Sequence, residues 1–169
     1  PYRHRFAKKD ATQTLPNQLI INEGLDSQTT VVAIPTPGHA KDLTCLYLPE
    51  QKYLFSGDMY ISKSLKYLRS DENLTQLINS LKTLIALDFE ILFCPHRGIV
   101  VEGKQALQDK LQNLLNLCSQ SQELMQQGLT EDEIVVKLLG PEDGLAKLSK
   151  FNISKGNLIR QAMRHSFDL

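Results

Sequence analysis

Three times between residues 31 and 98 an apolar run of strand length ends in a turn built on Gly or Pro. VVAIPTPGH closes on His39, KYLFSGD on Asp58, and EILFCPHRG carries His96 just past its end. Strand-end loops on a rigid sheet are where functional groups concentrate, because the sheet fixes their position while the loop lets polar atoms point into a shared cleft. Taken singly, each residue has an ordinary explanation. A histidine after Pro-Gly is commonly an exposed turn residue, and an aspartate after a strand commonly accepts backbone N–H groups in a turn. The same context met three times is what constrains the chain.

The segments around these turns give the rest of the organisation. QLIIN (18–22) and VVAIP (31–35) read as short strands, and LTCLYL (43–48) with KYLFSG (52–57) flanks Pro49-Glu50-Gln51 as a β-hairpin. Leucine and isoleucine recur at 74, 77, 78, 81, 84 and 85, the spacing of a helix with one apolar stripe, which Asp71 or Asn73 could cap. EILFC (90–94) reads as a buried strand, and 104–127 as a long amphipathic helix closed by Gly128. Thr130-Glu131-Asp132-Glu133 has the capping-box pattern before IVVKLL, Gly140-Pro141 stops that helix, and another capped helix spans about 154–164. The fold class is therefore mixed, α/β or α+β. We expect one domain over 1–127 and a helical C-terminal subregion over 128–169, the boundary falling near Gly128.

Charge narrows the partners. Nineteen basic residues balance nineteen acidic ones, so no net field would hold the chain on nucleic acid or an anionic membrane. The longest apolar runs are far below the roughly 20 residues of a membrane-spanning helix. The three cysteines, Cys45, Cys94 and Cys118, lack CxxC spacing. They read as buried thiols in a reducing, cytoplasmic compartment. Cys94 beside Pro95 reads the same way rather than as a nucleophile.

Two imidazoles and one carboxylate suit zinc or iron, since neutral imidazole is a good borderline ligand and a carboxylate offsets the ion's charge. Lys41, Asp42, Tyr60, Lys63 and Lys66 lie near the same loops and are candidates for touching substrate, each more simply read as a solvated residue.

In order and spacing, TPGH (36–39), LFSGD (54–58) and CPHRG (94–98) resemble the C-terminal half of the metallo-β-lactamase-fold hydrolases, with glyoxalase II-like enzymes the nearest in kind. The resemblance covers about residues 17–117, and GLTEDEIVVKLLG with ISKGNLIRQAM is similar to the helical tail of many members. It implies half of an αββα sandwich followed by a helical tail. It also implies that His39 completes a three-histidine zinc site, that Asp58 bridges two metals and takes part in catalysis, and that His96 holds the second metal. The cofactor implied is zinc, two ions per complete site, with iron or manganese as substitutes. The implied substrate is a small-molecule ester, thioester or related compound.

The family's HxHxDH motif is absent from this sequence, and neither His4 nor His165 has its spacing. The resemblance thus implies the second half of a hydrolase, with each ion offered about two of its usual protein ligands. We expect weak metal binding, no appreciable hydrolysis by these residues alone, and either self-association or packing on an N-terminal half. Two alternatives stand beside this reading. One is a non-enzymatic oligomerisation or binding module derived from the fold; the other is a mononuclear site in which His39, His96 and Asp58 share one ion.

Overall fold

The computed structural model describes residues 16–22 and 28–166. Six strands form one sheet: β1 (Gln18–Asn22), β2 (Gln28–Pro35), β3 (Thr44–Leu48), β4 (Tyr53–Phe55), β6 (Ile91–Cys94) and β7 (Gly98–Val100). They lie in the order β1-β2-β3-β4-β6-β7, and all neighbours are antiparallel except β4 and β6. That parallel pair needs a crossover, and α1 (Leu74–Ile85) supplies it. Two further strands, β5 (Leu68–Arg69) and β8 (Ile153–Ser154), make a separate antiparallel ladder.

The helices form where the leucine spacing predicts. Asn73 caps α1 by accepting the Gln76 N–H, and Leu74, Leu77, Ile78, Leu81 and Leu84 are buried along one stripe. Helix α2 (Gly103–Gln126) begins at a glycine because nothing larger fits: a Cβ on Gly103 would lie 2.4 Å from the Leu92 Cβ. It ends before Gly128, whose φ of 90° is the left-handed turn that closes helices. Thr130 and Glu133 form the capping box of α3 (Glu131–Leu139), and Ser154 caps α5 (Lys155–Arg164). A one-turn α4 (Gly144–Leu148), the short β7, and the β5–β8 ladder have no counterpart in the sequence reading. Segments of two to five residues are too short to show a period.

Alternation along the strands gives the sheet two unlike faces. Cys45, Leu54 and Leu92 point to one side and join Leu77, Leu81, Leu107, Leu114 and Leu158 in the main core under α1, α2 and α5. A smaller cluster of Leu124, Ile134, Val135 and Ile159 ties α3 to α2 and α5. The opposite face is also apolar, running through Leu19, Val31, Ala33, Leu46 and Phe55, with Phe55 stacked on Phe93 at 4.6 Å. No element among the described residues covers it: Leu19, Phe55 and Ile99 are exposed.

Candidate functional site

His39, Asp58 and His96 come together at one end of the sheet. The turn that carries His39 is fastened on all sides. Thr36 N donates to Leu43 O (2.8 Å), Ser80 Oγ to Pro37 O (2.7 Å) and Asn73 N to Gly38 O (2.8 Å). Gly38 is required here, since its φ is 138° and a Cβ would sit 2.5 Å from the Leu77 backbone nitrogen.

Asp58 occupies the 3-10 turn Gly57–Met59. Ser56, fully buried, anchors the start of that turn to Phe93 O through its N–H (3.0 Å), and Met59 is buried at its end. Lys110, from α2, donates its Nζ to Met59 O at 2.6 Å. It is only 3% exposed, and burial pushes its ammonium down to about 8. His96 stands on the hairpin between β6 and β7, which is closed by the Cys94–Gly98 pair.

Asp58 lies between the two histidines. Its Oδ1 meets His96 Nε2 at 2.9 Å, and its Oδ2 faces His39 Nε2 at 3.5 Å. One carboxylate thus presents a different oxygen to each imidazole, so the three side chains straddle two positions. Among the described residues, no group of three or more His, Cys, Asp or Glu is disposed to hold a metal ion by itself.

A fourth residue stands in the site that the sequence reading did not name. Glu72 Oε1 lies 2.5 Å from His39 Nδ1, and the carboxylate is 7% exposed. It sits between Asp71 and Asn73, the two residues considered as helix caps, and nothing local distinguishes it. Lys110 was missed too, although a signal existed: a lysine falls on the buried stripe marked by Leu107 and Leu114.

A cavity of about 420 Å³ opens beside His39 and Asp58. Its walls are largely apolar, with Ile61, Leu65, Leu77 and Ile153, and Arg69 and Lys110 are its cations beside Lys66. Of the five polar residues considered near these loops, Lys66 is the one that lines this cavity. Lys63 pairs with Asp109 (2.8 Å), and Lys41 lines a neighbouring cleft. All three cysteines are free and buried. Burial pushes the Cys45 and Cys118 thiols up to about 11, and Cys94 Sγ donates to Tyr60 O. Their surroundings are those of packing residues.

With that geometry in place, residues 4–96 match the model of the metallo-beta-lactamase superfamily. Hydroxyacylglutathione hydrolases from Bartonella tribocorum and Bartonella henselae are 38% and 37% identical over 68 residues, 40% of this chain and 26% of theirs. The matched stretch therefore spans about a quarter of those relatives. Among solved structures, a metallo-beta-lactamase family protein from Thermus thermophilus superposes with a TM-score of 0.63 at 17% identity, over 89% of this chain and 48% of that one. A stereoselective inverting sec-alkylsulfatase from Pseudomonas sp. does so with 0.57 at 13% identity, over 89% and 26%. At these identities the likeness is one of fold.

Proposed function

The chain belongs to the metallo-beta-lactamase superfamily, and from that premise we propose that it is the C-terminal part of a metal-dependent hydrolase with a dinuclear zinc centre. His39, Asp58 and His96 would hold the metal in this reading, Asp58 standing between the two histidines. The observation that supports it is the orientation of Asp58, with one oxygen toward each histidine. A carboxylate can bridge two cations and offset their repulsion, and the donor set is one that zinc accepts. The fit is that of one side of two sites, since each position receives one histidine and one carboxylate oxygen. Catalytic zinc generally keeps three protein ligands, so the remaining ligands come from another segment or chain.

Bound zinc supplies Lewis acidity, which makes a nucleophilic water available near neutral pH and polarises the substrate oxygen. The chain's own residues do the rest. Asp58 is fixed by its buried turn, the cavity beside it receives the substrate, and its apolar walls exclude water from the scissile bond. The similarity to hydroxyacylglutathione hydrolases supports a small ester or thioester as substrate. The bare sheet face supports the last element of the reading, a second αβ unit packed against it. Each large apolar side chain partly exposed there forgoes a share of the roughly 1.5–3 kcal/mol that full burial contributes.

Competition titration of zinc against a chromogenic chelator tests the proposal on the chain, on His39→Ala and on Asp58→Ala. Weak binding that both substitutions abolish is the expected result. Binding indifferent to either change, or none at millimolar zinc, would overturn it in favour of a binding module that kept the fold without its chemistry.

A further inference from the structure

We propose that Glu72, held in place by the C-terminal helix α5, is the positioning residue that fixes the tautomer of His39. Its purpose rests on the metal-site reading above, but its geometry does not. The Glu72 carboxylate meets His39 Nδ1 at 2.5 Å from a nearly solvent-free position, while Asp58 faces Nε2 at 3.5 Å. Both are acceptors, and a neutral imidazole has one proton to give. The closer, better buried acceptor takes it, so the proton sits on Nδ1 and the Nε2 lone pair is turned toward Asp58. Without Glu72, Asp58 is the acceptor that remains, and the proton would move to the nitrogen that has to bind metal.

The carboxylate is itself aimed. Its Oε2 accepts the Arg69 N–H at 2.9 Å, which leaves Oε1 for the histidine. The backbone beneath it is stitched to the tail. Gln161 donates from Nε2 to Glu72 O (2.9 Å) and accepts the Leu74 N–H on Oε1 (2.8 Å), one amide spanning both sides of the α1 cap. Asn157 adds a bond to Leu68 O at 3.2 Å, and β8 pairs with β5. The tail is thereby part of the site: α5 holds the segment that holds Glu72, and Glu72 holds His39. Outer partners of this kind orient metal-binding histidines, and removing one typically costs about 10- to 100-fold in metal affinity.

The test reads the tautomer directly and needs no metal. Long-range proton–nitrogen correlation spectra of the ¹⁵N-labelled chain at pH 9, with His39 assigned through His39→Gln, report which ring nitrogen carries the proton. Wild type is expected to show Nδ1–H. Glu72→Gln is expected to shift His39 to Nε2–H, and Glu72→Asp to restore Nδ1–H in part. Gln161→Leu is expected to give a mixture, with His96 unchanged in every variant. An Nε2–H tautomer in wild type, or an unchanged tautomer in a folded Glu72→Gln, would overturn the inference. Zinc titration separates it from the metal reading. A switchable tautomer with no zinc binding leaves the positioning role standing and removes the metal site. Zinc binding that His39→Ala abolishes but Glu72→Gln leaves untouched does the reverse.

Discussion

His39 and His96 both stand just past a strand and both face Asp58, yet their turns are built differently. The turn at 36–39 accepts or donates bonds to Leu43, Ser80, Asn73 and Glu72, drawn from three separate parts of the chain. The turn at 95–98 is closed by its own hairpin, and beyond the His96–Asp58 contact its tie to the rest of the fold, among the described residues, is Arg97 Nε to Ile61 O at 2.9 Å. His39 is 25% exposed and His96 47%. The difference follows the faces of the sheet. The first turn packs on α1, on the covered side. The second borders a shallow groove lined by Phe55, Phe93 and Ile99, on the bare side. The first turn is braced by neighbouring elements, and the second chiefly by its own strands and Arg97.

The largest effect expected from this contrast is at Gly38. In Gly38→Ala the new Cβ meets Leu77 backbone atoms at 2.5 and 2.6 Å with φ at 138°, and neither side can yield cheaply. Overpacking and the left-handed backbone together cost about 2–5 kcal/mol, which urea denaturation would read as a large fall in midpoint. A midpoint near wild type would mean that the turn is less tightly seated than its contacts indicate.

Lys110, which fastens the Asp58 turn between the two histidines, comes next. Its native pKa is lowered to about 8, below the ordinary lysine value, by burial first and against the pull of Glu72. Between the two values the unfolded chain holds more protons than the folded one. Stability therefore rises with pH from about 8 to about 10.5, by on the order of 3 kcal/mol as an upper bound. Subtracting the pH–stability curve of Lys110→Met from that of wild type isolates this rise, and a flat difference would contradict it.

Smaller effects belong to the open half. Gly98 also has a positive φ, 69°, but a Cβ there meets nothing within 4 Å. Gly98→Ala should cost only the backbone term, about 1–2 kcal/mol, so the gap between the two alanine variants measures the buttressing itself. His96→Ala, at an exposed turn, should change stability by less than about 0.5 kcal/mol. A thermal melt showing more would mean that the Asp58–His96 bond supports the turn.

Much of this was legible in the chain. The strand at 18–22, a strand within 52–57 that shortens to 53–55, the hairpin around Pro49-Glu50-Gln51, the α1 stripe and the Thr130 box are local patterns, and each formed where its residues pointed. Asn73, one of two cap candidates, does the capping. His39, Asp58 and His96 were visible because each follows a strand and a turn, two features that a sequence records. Lys110 left one trace, a lysine on the buried stripe of Leu107 and Leu114, but Glu72 and Gln161 left none. Glu72 is 33 residues from His39 and Gln161 is 89 from Glu72, and each is an ordinary polar residue until a distant partner meets it.

The sequence by itself determined the period of each element, the turns that end them, and the three side chains at the strand ends, because local sterics and apolar spacing act over a few residues. Tertiary structure decided which acceptor His39 meets on each ring nitrogen, which lysine is driven out of water beneath Asp58, and which sheet face is left bare. Those depend on packing between segments far apart in the chain, where distances of a few tenths of an ångström choose the hydrogen-bond partner.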